Sequence, residues 1–160
     1  MPRGKSVPKR EILPDPKYGN LLVAKFTNFI MSCGKKNTAQ RVVYGALEIL
    51  AAKKQGNALE LFERLLETVR PQVEVRSRRV GGANYQVPMP VSGSRQNAMA
   101  FRWIITAARA RKGHTMQEKL AGEFMDILEG VGGTIKKKED VHRMAESNKA
   151  FAHFARFNRK

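Results

Sequence analysis

Three arginines, Arg95, Arg102 and Arg109, recur at an interval of seven. On a helix that interval drifts only about 20° per step, so the three guanidiniums share one stripe. A guanidinium fork fits a pair of phosphate oxygens, and phosphate contact is the chemistry such a stripe offers. Residues 93–113 hold five cations and no acid, so no ion pair within the segment can occupy these arginines. Arg111 and Lys112 extend the basic end. The plainer alternative is a solvated face whose last cations suit a helix C-terminus. Trp103, beside the stripe, can stack on a base or join Ile104 and Ile105 in the core.

A second cationic group, Arg76, Arg78 and Arg79, lies within VEVRSRRVGGANYQVPMPV at 73–91. Val73 and Val75 alternate with polar residues, Gly81-Gly82-Ala83-Asn84 supplies turn chemistry, and Tyr85, Val87, Met89 and Val91 alternate again. This is the pattern of a β-hairpin. Pro88 and Pro90 lack N–H groups on one lateral side of their strand, so that side cannot pair with another strand. An isolated ribbon is marginal in water, and one with arginines near its tip suits a polyanion. An edge hairpin kept soluble by its charges is the rival reading.

Other candidate groups are less specific. Gly34-Lys35-Lys36-Asn37-Thr38 fails the phosphate-loop pattern because Phe29 stands at the first glycine and Lys36 replaces Ser or Thr. A helix start beside two lysines remains, a local anion site. Lys136-Lys137-Lys138 and the ends (Arg3, Lys5, Lys9, Arg10; Lys149, Arg156, Arg159, Lys160) read equally as RNA contacts or basic tails. Catalysis finds little support. His114, His142 and His153 have no ligand spacing, Cys33 has no cysteine partner, and Asp140 and His142 point to different faces of a helix. No metal or cofactor is expected, and no small-molecule substrate.

The elements that position these residues are helical. Leu22, Phe26, Phe29 and Ile30 form one face, stopped by Gly34. Asn37 or Thr38 caps a second helix bearing Val43, Ala46, Leu47 and Leu50. Asn57 opens a third with Leu59, Phe62, Leu66 and Val69 buried, closed by Pro71. Ser94 begins the fourth, with Ala98, Phe101, Ile105 and Ala108 inward. Thr115 to Glu118 is a capping box for the fifth, and Gly132-Gly133-Thr134 leads into the sixth. The expected architecture is mainly α: a single-domain bundle of about six helices with a protruding two-stranded hairpin. It spans 1–160, with a basic extension over 1–20, the hairpin arm over 73–91 and a basic tail over 148–160.

The charge is uneven as well as large. The chain carries +16, yet residues 57–72 and 114–133 are net acidic. Acids assigned to particular helices are expected to face away from a polyanion. No apolar run approaches the roughly 18 residues of a membrane span. The start reads as neither secretion signal nor organelle presequence. One cysteine excludes an internal disulfide and fits a reducing, intracellular compartment.

Taken together, several segments resemble the bacterial-type small-subunit ribosomal protein seven family. They are Lys9-Arg10, LPDPKYG (13–19), AKF (24–26), GKK (34–36), VYGALE (43–48), VRPQVEV (69–75), RRVGGANYQVP (78–88), FRWI (101–104), KKKEDVHRMAE (136–146) and NKAFAHF (148–154). The resemblance implies a non-enzymatic protein of the cytoplasmic small ribosomal subunit, six helices and a hairpin, that binds the subunit's rRNA and nucleates head assembly. It implies neighbouring ribosomal proteins as partners, proximity to exit-site tRNA and the mRNA path, and in some members repression of the protein's own operon. Carried over, rRNA contacts fall on Lys9, Arg10, Lys35, Lys36, Arg41, Arg76, Arg78, Arg79, Arg95, Arg102, Arg109, Lys136, Lys137 and Arg143. To these the basic ends and the stripe's extension add Arg3, Lys5 and Arg111. Arg78, Arg79, Gly81, Gly82, Lys149 and Arg156 are expected near tRNA and mRNA. A DNA-binding regulator using one helix, and a hydrolase centred on His142 and Asp140, are the alternatives.

Overall fold

The computed structural model describes residues 4, 11–80, 82–113 and 115–158, the last four without their side chains. Its elements are α1 (Leu21–Ile30), α2 (Lys36–Lys54), α3 (Ala58–Val69), β1 (Val73–Val80), β2 (Ala83–Pro90), α4 (Gly93–Ala110), α5 (Met116–Leu128), α6 (Gly133–Ser147) and a terminal 3-10 helix (Lys149–Asn158). The chain divides into two compact units, Met1–Gln40 and Arg41–Lys160, and α2 runs through the division. No helix of the described residues is long and apolar enough to cross a membrane.

In the first unit a tight loop delivers the chain to α1. The buried Asp15 carboxylate accepts from the Lys17 and Tyr18 amides, and Gly19, at φ +61°, donates its N–H to the Asp15 carbonyl. Asn20 then caps α1 by accepting from Leu22 and Val23. Val23, Phe26 and Ile30 are buried, and the buried Thr27 hydroxyl donates to the Val23 carbonyl. The helix ends at Ile30, short of the glycine expected to stop it. Cys33 and Gly34, both at positive φ, form the turn that follows. That turn feeds α2 directly at Lys36, ahead of the expected Asn37 or Thr38 cap.

The second unit is built largely from the faces the apolar spacing predicts, although Ala98, expected inward, is only half-buried. Leu47 and Leu50 of α2, Phe62, Leu65 and Leu66 of α3, Phe101 and Ile104 of α4, and Leu120, Phe124 and Ile127 of α5 are fully buried. Each such side chain stabilises the fold by about 1.5–3 kcal/mol relative to exposure. Phe62 and Phe124 meet edge to face at 6.1 Å. Leu59, expected inside, is only half-buried because it occupies the first turn of α3. Asn57 caps α3 through the Leu59 amide, and the Thr115 hydroxyl caps α5 through that of Glu118. Gly45 permits a close approach, since a Cβ there would lie 2.7 Å from the Gln117 side chain, whose amide donates to the Arg41 carbonyl.

The hairpin is a two-stranded antiparallel sheet in which Val80 pairs with Ala83 and Val73 with Pro90. The Val91 amide donates to the Gln72 carbonyl, so odd positions of β2 exchange hydrogen bonds with β1. Pro88 and Pro90 hold the even positions, and their nitrogens face away from β1. The alternation of valines predicts the wrong buried face on β1. Val73 and Val75 are half-buried, whereas Glu74 is only 5% exposed and shares its face with buried Val87.

The end of the chain also differs from the tail expected there. Residues 149–158 wind into a 3-10 helix that packs along β2. Tyr85 explains it: its ring lies 5.1 Å from that of Phe151 and 5.2 Å from that of Phe154. Aromatic pairs of this kind contribute about 0.5–1.5 kcal/mol each beyond the area they bury.

Candidate nucleic-acid interface

Helix α4 turns Ala100, Phe101, Ile104, Ile105 and Ala108 into the core, which forces the seven-residue stripe outward. Arg102 and Arg109 are exposed and make no ion pair with any described residue. Trp103, one position off the stripe, is half-buried between these surroundings and the core.

Arg95, the third member, is joined to the hairpin. Its Nε donates to Glu74 Oε2 at 2.7 Å, while Arg76 Nε donates to Oε1 of the same carboxylate at 2.5 Å. The two arginines keep 46% and 48% of their side-chain surface exposed, in contrast to the buried acid between them. Arg78 lies on the same face as Arg76, with Nη2 3.8 Å from Met89 Sδ. Arg79 points to the opposite face and is exposed. Gly82 occupies the turn at φ +91°, a conformation costly to any residue with a Cβ.

Arg111, just past the other end of α4, points inward. Its Nη1 donates to Glu123 Oε2 at 2.9 Å and to Asp126 Oδ2 at 2.5 Å. The hydrogen bond with Asp126 raises its pKa above the ordinary value, against the desolvation that lowers it; Glu123 adds to the rise. The guanidinium lies over Gly122, where a Cβ would stand 3.1 Å from Nη2. The other oxygen of the buried Glu123 accepts from the Thr134 amide at 3.0 Å and hydroxyl at 2.6 Å. Gly132 precedes α6 with no side chain to cap it, so a carboxylate from α5 does that work. Helix α5, expected as an acidic solvent face, thus directs Glu123 inward.

Lys136 and Lys137 are exposed in the first turns of α6, and Lys138 turns back to donate to the Thr68 carbonyl. Arg143 is exposed and pairs with Asp140, which therefore faces away from any partnership with His142. Burial lowers the pKa of His142, with Lys138 contributing, and its Nε2 has no hydrogen-bond partner among the described residues. Lys35, Lys36, Arg41 and Lys149 are exposed. Arg3, Lys5, Lys9, Arg10 and Gly81 lie outside the described residues, as does the side chain of Arg156. Among the described residues no three His, Cys, Asp or Glu side chains cluster in a metal-holding arrangement.

Sequence reasoning missed Glu74, although a signal existed: it is the only acid between Glu67 and Glu118. It also missed Arg70, whose Nε donates to Asn97 Oδ1 at 2.6 Å.

Residues 2–149 match the family model described as Ribosomal protein S7p/S5e. The small ribosomal subunit protein uS7 of Thiobacillus denitrificans is 58% identical over 154 residues, covering 96% of this chain and 99% of its own. The proteins of the same name from Alcanivorax borkumensis and Chromohalobacter salexigens are 57% and 56% identical over the same shares.

Proposed function

The chain belongs to the ribosomal protein S7p/S5e family, and from that membership we propose that it is a structural component of the small ribosomal subunit that binds the subunit's rRNA. The observation that carries the reading is the exposed arginine stripe of α4, two of whose members have no internal ion pair. Arg76, Arg78, Arg79, Arg95, Arg102, Arg109, Lys136 and Lys137 contact phosphates and displace counterions, while the helical body fixes their geometry. Lys35, Lys36, Arg41, Arg143 and the basic ends add contacts, and Arg111 supports the surface from beneath. The A-form major groove is too narrow to read, so specificity comes from shape, loops and stacking.

The finer assignments follow the same reading. The protein nucleates the subunit's head beside neighbouring ribosomal proteins. Arg78, Arg79, Gly81 and Gly82 at the hairpin tip, with Lys149 and Arg156, approach exit-site tRNA and mRNA. Repression of its own operon's message is a further capacity of the same surface. The chain acts in the cytoplasm, in the assembled subunit, and catalyses no reaction.

Binding to a transcript of the rRNA head region tests this. With roughly eight phosphates neutralised, affinity falls on the order of 10³-fold or more between ~50 and ~200 mM salt. A flat salt response, or preference for random duplex DNA over the folded transcript, overturns it.

A further inference from the structure

The Glu74 carboxylate is divided between two arginines in a particular way. Each oxygen takes the inner nitrogen, Nε, of a different guanidinium, one from β1 and one from the first turn of α4. The outer Nη nitrogens of Arg76 and Arg95 make no hydrogen bond to any described residue, and both side chains remain about half exposed. A guanidinium held at Nε keeps its Nη1/Nη2 edge open, and that edge fits two phosphate oxygens in parallel. Glu74 is itself 5% exposed, too enclosed for its charge to be a surface ornament.

We propose that Glu74 is a positioning residue: it grips Arg76 and Arg95 from beneath and presents their outer edges together as one composite site for RNA backbone phosphate. The carboxylate offsets the repulsion between the two cations and fixes side chains that otherwise lose much rotamer freedom on binding. It also joins the hairpin base to the start of the α4 stripe, so the two basic elements meet RNA in a set relation. This inference rests on the RNA-binding reading above and deepens it.

The test exploits a conflict of sign. Glu74→Gln makes the protein one unit more positive, so the overall field alone tightens binding to the head-region transcript. Loss of positioning instead weakens it, by about tenfold for one charge-assisted contact per arginine set free. Arg95→Lys preserves charge but has no second edge, and should weaken binding to a similar degree. Adding Glu74→Gln to Arg95→Lys should then cost less than Glu74→Gln costs alone. In nitrogen-15 spectra the Arg76 and Arg95 Nε–H groups should exchange slowly in the wild type and rapidly in Glu74→Gln.

Equal or tighter binding by a folded Glu74→Gln variant, with a steep wild-type salt response, overturns the positioning role and leaves ribosomal RNA binding intact. A flat wild-type response overturns both. If Glu74→Gln fails to fold, the Arg76→Lys/Arg95→Lys double variant decides, because undiminished affinity there means the outer edges are not used.

Discussion

The two ends of α4 solve one electrostatic problem with opposite stoichiometry. Near its start a single carboxylate, Glu74, lies between two guanidiniums, leaving one positive charge in excess and both outer edges toward water. Just past its end a single guanidinium, Arg111, lies between two carboxylates, leaving one negative charge in excess and Nη1 committed to both acids. The first arrangement presents cations to the outside. The second ties α5 to the chain leaving α4, and through Glu123 to the start of α6. Ion pairs of similar length therefore serve construction at the far end and, in the role proposed above, recognition at the near one, and which nitrogen is used separates them.

The largest effect tests the construction end. Arg111→Ala strands the buried Glu123 carboxylate, and should lower unfolding free energy by about 3 kcal/mol in urea titration. That is the low end for breaking a buried pair, because Arg111 keeps part of its side chain in water. At a temperature where the variant stays folded, its RNA salt response should match the wild type. The recognition end behaves in reverse. Arg102→Ala with Arg109→Ala should change stability by less than about 0.5 kcal/mol, as substitutions at exposed, unpaired positions do. It should reduce the slope of log affinity against log salt by about 1.5, because two fewer phosphates are then neutralised.

A pH titration separates construction at α6. The folded-state pKa of His142 is lowered by burial, so stability contributed by its neutral form is complete above the ordinary value near 6.5. It is lost as pH falls through the lower folded-state value, where the ring must charge in its enclosed position. His142→Gln should flatten that acid limb in a series of thermal melts, and an unchanged limb assigns the loss to other groups. The smallest effect is at Arg143, whose exposed i,i+3 pair with Asp140 should contribute no more than about 0.5 kcal/mol. Arg143→Ala should therefore melt like the wild type.

Much of this was legible along the chain, and what was not has a common cause. The helices announce themselves because caps and apolar periodicity are local: Asn57, Thr115 and the Phe101/Ile105/Ala108 face need no knowledge of distant residues. The hairpin is legible from its alternation and glycines, but its register is not, since Ala83 and Asn84, read as part of the turn, already pair with Val80 and Arg79. By contrast, Glu74 meets Arg95 across 21 positions, Arg111 meets Asp126 across 15, and Tyr85 meets Phe151 in a segment read as a tail. No periodicity encodes such pairs. The absence of acids from 93–113 excluded only partners within α4, and both ends of that helix found theirs elsewhere. The valine alternation misled for a related reason, since a carboxylate with two arginines can occupy a buried position that polarity alone assigns to water.

The prolines of β2 bear on what happens to the chain before it meets a partner. A free ribbon with an open rim is a template on which another copy can add, and repeated addition leads to fibres. Pro88 and Pro90 remove two successive donors from the outer rim of β2, so an incoming strand finds no ladder to complete at that end of the ribbon. The base of the arm is thereby guarded, on the side of β2, against strand addition by another copy.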